Sequence, residues 1–258
     1  MPRIKDWVEI PRRVLTVFFV LDVSGVMSGS RIAVLNHAMT AAVAALKELD
    51  RRSVDVQIKI AVLTYSSGCT WLNPDGPESP EDFVWEDLQA GGMSDLGAAL
   101  RELNDKLSRK AYMNNIEGNC MPVFVFVTCR GATDNYEAEL RKLQKNNWFR
   151  HAAKIGFAMG DESNIDTAIL CDAAEYNGAV FRCPDSISDA FPDALKSSVA
   201  LLPMILLVDR VWSEEDGGWP QKLKKSGVIP KEMFLSGEYI LKPPPDLDDD
   251  LWENADDL

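Results

Sequence analysis

The chain has 258 residues, 46 % of them hydrophobic, and a formal net charge of −13. That length and apolar content suit one large α/β domain with a real core, and the negative charge disfavours nucleic acid and anionic membrane as partners. Five scattered cysteines without C-x-x-C spacing read as reduced intracellular thiols, so the expected location is cytoplasmic, and two histidines make a histidine-rich zinc site unlikely.

Residues 1–13 form a polar lead-in with Trp7 and Ile10 and no signal-peptide pattern. Val14–Leu21 is a near-continuous apolar run that suits a strand buried on both faces. No apolar run approaches the ~20 residues of a membrane span. The loop Asp22 to Ser30 follows, rich in Gly and Ser. A helix from Arg31 to Leu49 then shows an apolar stripe at Ile32, Leu35, Met39, Val43 and Leu46. A strand, a polar loop and a helix in that order put Asp22 and Ser24 at the carboxyl end of a strand, where open α/β sheets bind ligands. The same two residues could instead simply cap the coming helix and stabilise the turn.

Val54, Val56, Ile58, Ile60 and Val62 alternate with more polar residues and predict a half-buried strand, with Cys69–Leu72 pairing back on it. Asn73–Asp82, with three prolines, is loop. Gly91–Asp95 precedes a helix carrying Leu96, Leu100, Leu103 and Leu107 on one face. Pro122–Thr128 predicts a second doubly buried strand, and Cys129–Asp134 is the loop at its end. A helix through Leu140 and Leu143 to about Asn146, a strand over Ala152–Met159, a helix over Ile165–Glu175, a short strand over Ala179–Arg182 and a closing helix over Ile187–Leu201 complete the series. His151 falls at the start of a strand in this reading. The alternation predicts an α/β fold: a doubly wound, mostly parallel sheet with helices on both faces.

Pro203–Val211 reads as an extra strand or a contact surface, and Trp212, Trp219, Phe234 and Tyr239 as aromatics packed back on the domain. The organisation is thus a lead-in (1–13), a domain (14–201), an extension packed on it (202–242) and a tail led by three prolines (243–258). That tail holds −7 of the −13 charge with no Lys or Arg. It is either a disordered solubilising segment or a docking motif. In the second case Leu247, Leu251 and Trp252 would share one helical face on binding, or a tail carboxylate would sit on the chain's own domain near Arg130.

Three separated motifs carry a resemblance. Asp22–Gly29 resembles the Asp-x-Ser-Gly-Ser-Met-x-Gly loop of von Willebrand factor A domains. Gly92–Leu100 resembles their Gly-x-Thr-x-Leu-Gly-x-Ala-Leu loop, and Pro122–Asp134 their third strand and loop. Asn146–Arg150 and Ala158–Asp161 are similar to the bacterial TerY-like branch associated with tellurite resistance and stress. The resemblance implies a metal-ion-dependent adhesion site in which five oxygen-bearing residues hold Mg²⁺ at the rim of the sheet. Asp22, Ser24 and Ser94 match ligand positions. Val26 replaces a Ser and Cys129 replaces an Asp, and neither suits a hard ion. Asp95 and Asp134 could compensate, or serve as ordinary helix N-terminal acids.

The expectation is therefore a non-enzymatic module that binds a protein partner through a rim with weakened or lost metal dependence. The partner would be a kinase, a phosphatase or another stress-system component. Ser28, Asp95, Arg130 and Asp134 would touch it, and the cofactor would be none or weakly bound Mg²⁺. Two alternatives remain at this stage. One is an enzyme with Cys129 as nucleophile, with Arg130 supplying positive field. The other is an adhesion module that keeps Mg²⁺ through Asp22, Ser24 and Ser94.

Overall fold

The computed structural model describes residues 12–161, 167–174, 178–208 and 218–234. Residues 1–11 of the lead-in, Trp212, Tyr239 and the acidic tail with Leu247, Leu251 and Trp252 lie outside the described residues. Six strands make one sheet: β1 (Arg13–Asp22), β2 (Val56–Ser66), β3 (Gly68–Trp71), β4 (Val123–Thr128), β5 (Ala153–Met159) and β6 (Gly178–Cys183). Their spatial order is β3-β2-β1-β4-β5-β6. Every pairing is parallel except β2 with β3, a tight antiparallel return at Ser66–Gly68. The predicted doubly wound sheet is the observed one.

The helices are α1 (Ser30–Arg52), α2 (Leu96–Lys106), α3 (Tyr136–Leu143), α4 (Asn147–His151), α5 (Thr167–Ala173), α6 (Phe191–Val208) and α7 (Gly218–Lys225). Alternation along β1 divides the core between two faces. Leu15, Val17, Phe19 and Leu21 pack with Leu35, Met39 and Leu46 of α1 and Leu195 and Val199 of α6. Phe18 and Val20 pack with α2, α3 and α4 on the other face. There Phe18 stacks on Phe124 at 5.1 Å, and Phe124 meets Phe149 at 5.0 Å. By length and composition α1 could cross a membrane, but its apolar stripe is spent on the sheet.

Four expectations are corrected. Pro203 and the residues after it, to Val208, extend α6 rather than forming a strand. The helix begins at Phe191, because Asp185–Ala190 is a 3₁₀ turn with a kink at Ile187. The predicted helix to Asn146 stops at Leu143. Asn146 then starts α4, its side chain accepting from Trp148 N at 3.0 Å, and His151 closes that helix instead of opening β5. Trp219, Leu223, Ile229 and Met233 are buried in the α1/α6 side of the core, and Phe234 bridges to Phe181 of β6.

Lys154, fully buried on β5, donates to Ala152 O at 3.0 Å and lies over the Phe149 ring. Burial pushes its ammonium down from 10.5 to about 7. Between those two values the unfolded chain binds a proton that the folded chain does not. Stability therefore rises with pH across that window, and the penalty is full below about 7. Thermal unfolding at a series of pH values should show this slope in the parent chain, and Lys154→Met should flatten it.

Candidate functional site

In a sheet of this order the chain turns to opposite sides after β1 and after β4, so the carboxyl ends of these neighbours form the switch point. Three loops meet there. Asp22 ends β1 and is fully buried. Its Oδ1 accepts from Ser24 N at 2.8 Å, and its Oδ2 from Thr128 Oγ1 and Cys129 N, both at 3.4 Å. Burial raises its carboxyl above the usual range, against the pull of these donors toward the charged form. Beneath it the buried Tyr65 phenol is pushed well above its ordinary value by burial and by the Asp22 charge.

Backbone bonds clip the loops together. Gly25 N donates to Gly92 O at 3.0 Å, and Gly91 N to Val23 O at 2.8 Å. Thr133 N donates to Ser94 O at 2.8 Å, while Thr133 Oγ1 accepts from Ser94 N and donates to Asp95 Oδ1. Gly25 opens a 3₁₀ turn whose Met27 is buried in the core. Neither Asp22 nor Ser24 caps α1: the residue before that helix is Gly29, and Ser24 makes no capping bond with its side chain.

The two compensating acids are already committed. Asp95 accepts from Gly68 N at 2.9 Å and from Thr133 Oγ1 at 3.1 Å. Asp134 accepts from Gly97 N at 2.9 Å and Ala98 N at 3.0 Å, so it caps α2 from across the rim rather than the helix it precedes. Gly97 is needed for this approach, since a Cβ there would lie 2.8 Å from Asp134 Oδ2. Asp134→Ala leaves two helix donors unpaired and should cost about 1–3 kcal/mol in urea unfolding.

Two buried hydroxyls at the rim, Ser24 Oγ and Ser94 Oγ, make no hydrogen bond of good geometry. Ser24 Oγ still lies close enough to Asp22 to favour its charged form. Ser28, Arg130 and Met93 are exposed above them, Met93 by 56 %. The nearby apolar cavity, lined by Tyr65, Phe126, Leu140 and Ile169 among others, has about 10 Å³, room for one water at most.

Sequence reasoning missed Arg31 and Asp185. Arg31 NH1 donates to Val26 O at 3.0 Å and to Cys129 Sγ at 3.3 Å. Its Nε and NH2 pair with the two oxygens of Asp185 at 2.9 and 2.6 Å. The hydrogen bonds that Arg31 donates to Asp185 raise the guanidinium pKa and lower that of Asp185. One signal was legible: an arginine sits in the first turn of α1 with no acid in that turn, where the helix dipole disfavours a cation.

The donor set does not fit Mg²⁺. Of the five implied positions, Asp22, Ser24 and Ser94 carry oxygen, one carboxylate among them. The Val26 side chain packs against the core, and Cys129 offers sulfur to a guanidinium. A hard octahedral ion needs an oxygen shell with enough charge to offset its own. Among the described residues no group of three His, Cys, Asp or Glu could hold a metal. Cys129 is also poorly set as a nucleophile. It is buried, and burial raises its thiol despite the opposing pull of Arg31. Iodoacetamide at neutral pH should therefore label half-buried Cys69 before Cys129 in the native chain, read by peptide mapping.

No family model and no curated protein sequence matches the chain. Solved structures do. A von Willebrand factor type A protein from Catenulispora acidiphila superposes with a TM-score of 0.52 at 12 % identity, over 73 % of this chain and 42 % of that one. Proximal thread matrix protein 1 from the mussel byssus gives 0.51 at 16 %, over 74 % and 48 %. The pilus adhesin SpaC from Lactobacillus rhamnosus GG, in its open conformation, gives 0.51 at 8 %, over 74 % and 30 %. The match spans less than half the length of each of these structures. Identities this low speak to architecture alone, and on architecture this chain has the von Willebrand factor A fold.

Proposed function

We propose that this chain is a non-enzymatic protein-interaction module that binds a protein partner through the rim built by Asp22–Ser30, Gly91–Asp95 and Cys129–Asp134. The single observation that carries this reading is the Ser94 Oγ hydroxyl, buried at the switch point without a hydrogen-bond partner, beside Ser24 Oγ, which makes none of good geometry. Buried polar groups are nearly always paired. A hydroxyl left unpaired at this rim is capacity for a group that comes from outside. The exposed Met93 adds an apolar contact beside it, and Arg130 adds a charge that attracts an acidic group.

Two of the structural neighbours bear the names of an adhesin and a matrix protein, which agrees with an adhesive rather than a catalytic use of the fold. The finer assignment follows the motif resemblance to the TerY-like branch: a cytoplasmic stress-response or signalling system with a kinase, phosphatase or other system component as partner. No resident metal is part of this proposal. The committed side chains of Asp95 and Asp134 and the sulfur of Cys129 favour a rim that works without one.

The test is affinity capture on the full chain, with binding constants then measured for any captured protein. Met93→Asp should weaken binding at least tenfold, about 1.4 kcal/mol. Ile116 is 97 % exposed and adjoins Gly118, which pairs with Val14 at the opposite end of the sheet. Ile116→Asp should leave binding unchanged. Equal loss from both variants, or loss from Ile116→Asp alone, would move the interface off the rim.

A further inference from the structure

We propose that the Arg31 guanidinium is the resident cation of this rim, held by Asp185 against the Cys129 sulfur, where an implied oxygen ligand is missing, and against the main-chain carbonyl of Val26. The Arg31–Asp185 clamp holds this junction whether or not a partner binds there.

Arg31 reaches one altered side chain, Cys129, and the main chain of the other altered residue, Val26. The same NH1 reaches the Val26 carbonyl at 3.0 Å and the Cys129 sulfur at 3.3 Å. The other edge of the guanidinium grips Asp185 through two parallel bonds. Four of its five N–H donors are thereby used, in the planar fork geometry that arginine offers and lysine does not. The side chain is only 20 % exposed, so water does not fully screen its charge.

Three chain segments meet on this one group: the turn after β1, the end of β4 and the turn after β6. A metal ion at a loop junction supplies two things, positive charge and a cross-link between loops. The guanidinium supplies both from within the chain. Its placement in the first turn of α1, unfavourable for a cation by the helix dipole, is offset by the bidentate Asp185. A divalent ion brought to the same junction meets a guanidinium already fixed there by Asp185.

This reading separates two causes of metal loss. If the missing ligands alone were responsible, restoring them would restore binding. If Arg31 holds the junction, a carboxylate placed at position 129 pairs with the guanidinium instead. The experiment is a Mn²⁺ titration followed by electron paramagnetic resonance on the full chain. It compares the parent chain, the Val26→Ser/Cys129→Asp variant, and that variant with Arg31→Gln added. The expected result is no binding in the parent and weak or no binding in the double variant. Adding Arg31→Gln should make binding at least tenfold tighter, and Asp22→Ala should then abolish it. Should the glutamine variant fail to fold by near-ultraviolet circular dichroism, Arg31→Met keeps the apolar stem and carries the same expectation. Mn²⁺ binding by the parent chain through Asp22 would overturn the proposal. So would an equal affinity, or an equal lack of one, with and without Arg31.

Discussion

A carboxylate at the end of the central strand constrains everything around it. Asp22 is buried between two parallel strands and receives donors from its own loop and from the end of β4. A charge in that position is costly unless its oxygens are answered. The chain answers Oδ1 with a short bond from Ser24 N and Oδ2 with two long ones. The paths of both loops follow from that requirement. Tyr65 and Thr128 line the polar floor beneath, and aromatic packing begins immediately below at Phe126.

Around this carboxylate the rim is held by backbone bonds and by side chains that serve structure. Thr133 links Ser94 to Asp95, Asp95 reaches back to Gly68, and Asp134 caps α2. Each acid that might have compensated for a lost ligand is thus occupied with holding the loops. The ion pair between Arg31 and Asp185 completes the arrangement on the α1 side. The result is a junction with its own internal charge balance. Among the buried rim side chains named here, Ser24 Oγ and Ser94 Oγ are left without a hydrogen bond of good geometry.

Most of the fold was legible because its signals are local. Val14–Leu21 and Pro122–Thr128 are apolar without alternation, and doubly covered strands read that way. The antiparallel return at Cys69 was legible from the Ser-Ser-Gly turn. What misled was also local. Pro203 suggested a break, yet α6 passes through it. The run to Asn146 kept helical spacing, yet the Asn146 side chain begins a new helix there. At the site, the motifs identified Asp22, Ser24 and Ser94, but not that Asp95 and Asp134 bond to backbone far away in sequence.

The residue order alone carries the alternation of strands and helices, the two central strands and the three polar loops at their ends, because periodicity and turn chemistry act over a few residues. It also determined which ligand chemistry is absent, since no fold can give Val26 an oxygen in its side chain or make the Cys129 sulfur hard. What stands beside those positions instead depends on long-range packing. Arg31 and Asp185 are 154 residues apart, and no local pattern encodes a pairing over that distance. It exists because the strand order brings the ends of β1, β4 and β6 to one edge of the sheet, within reach of a guanidinium anchored on α1.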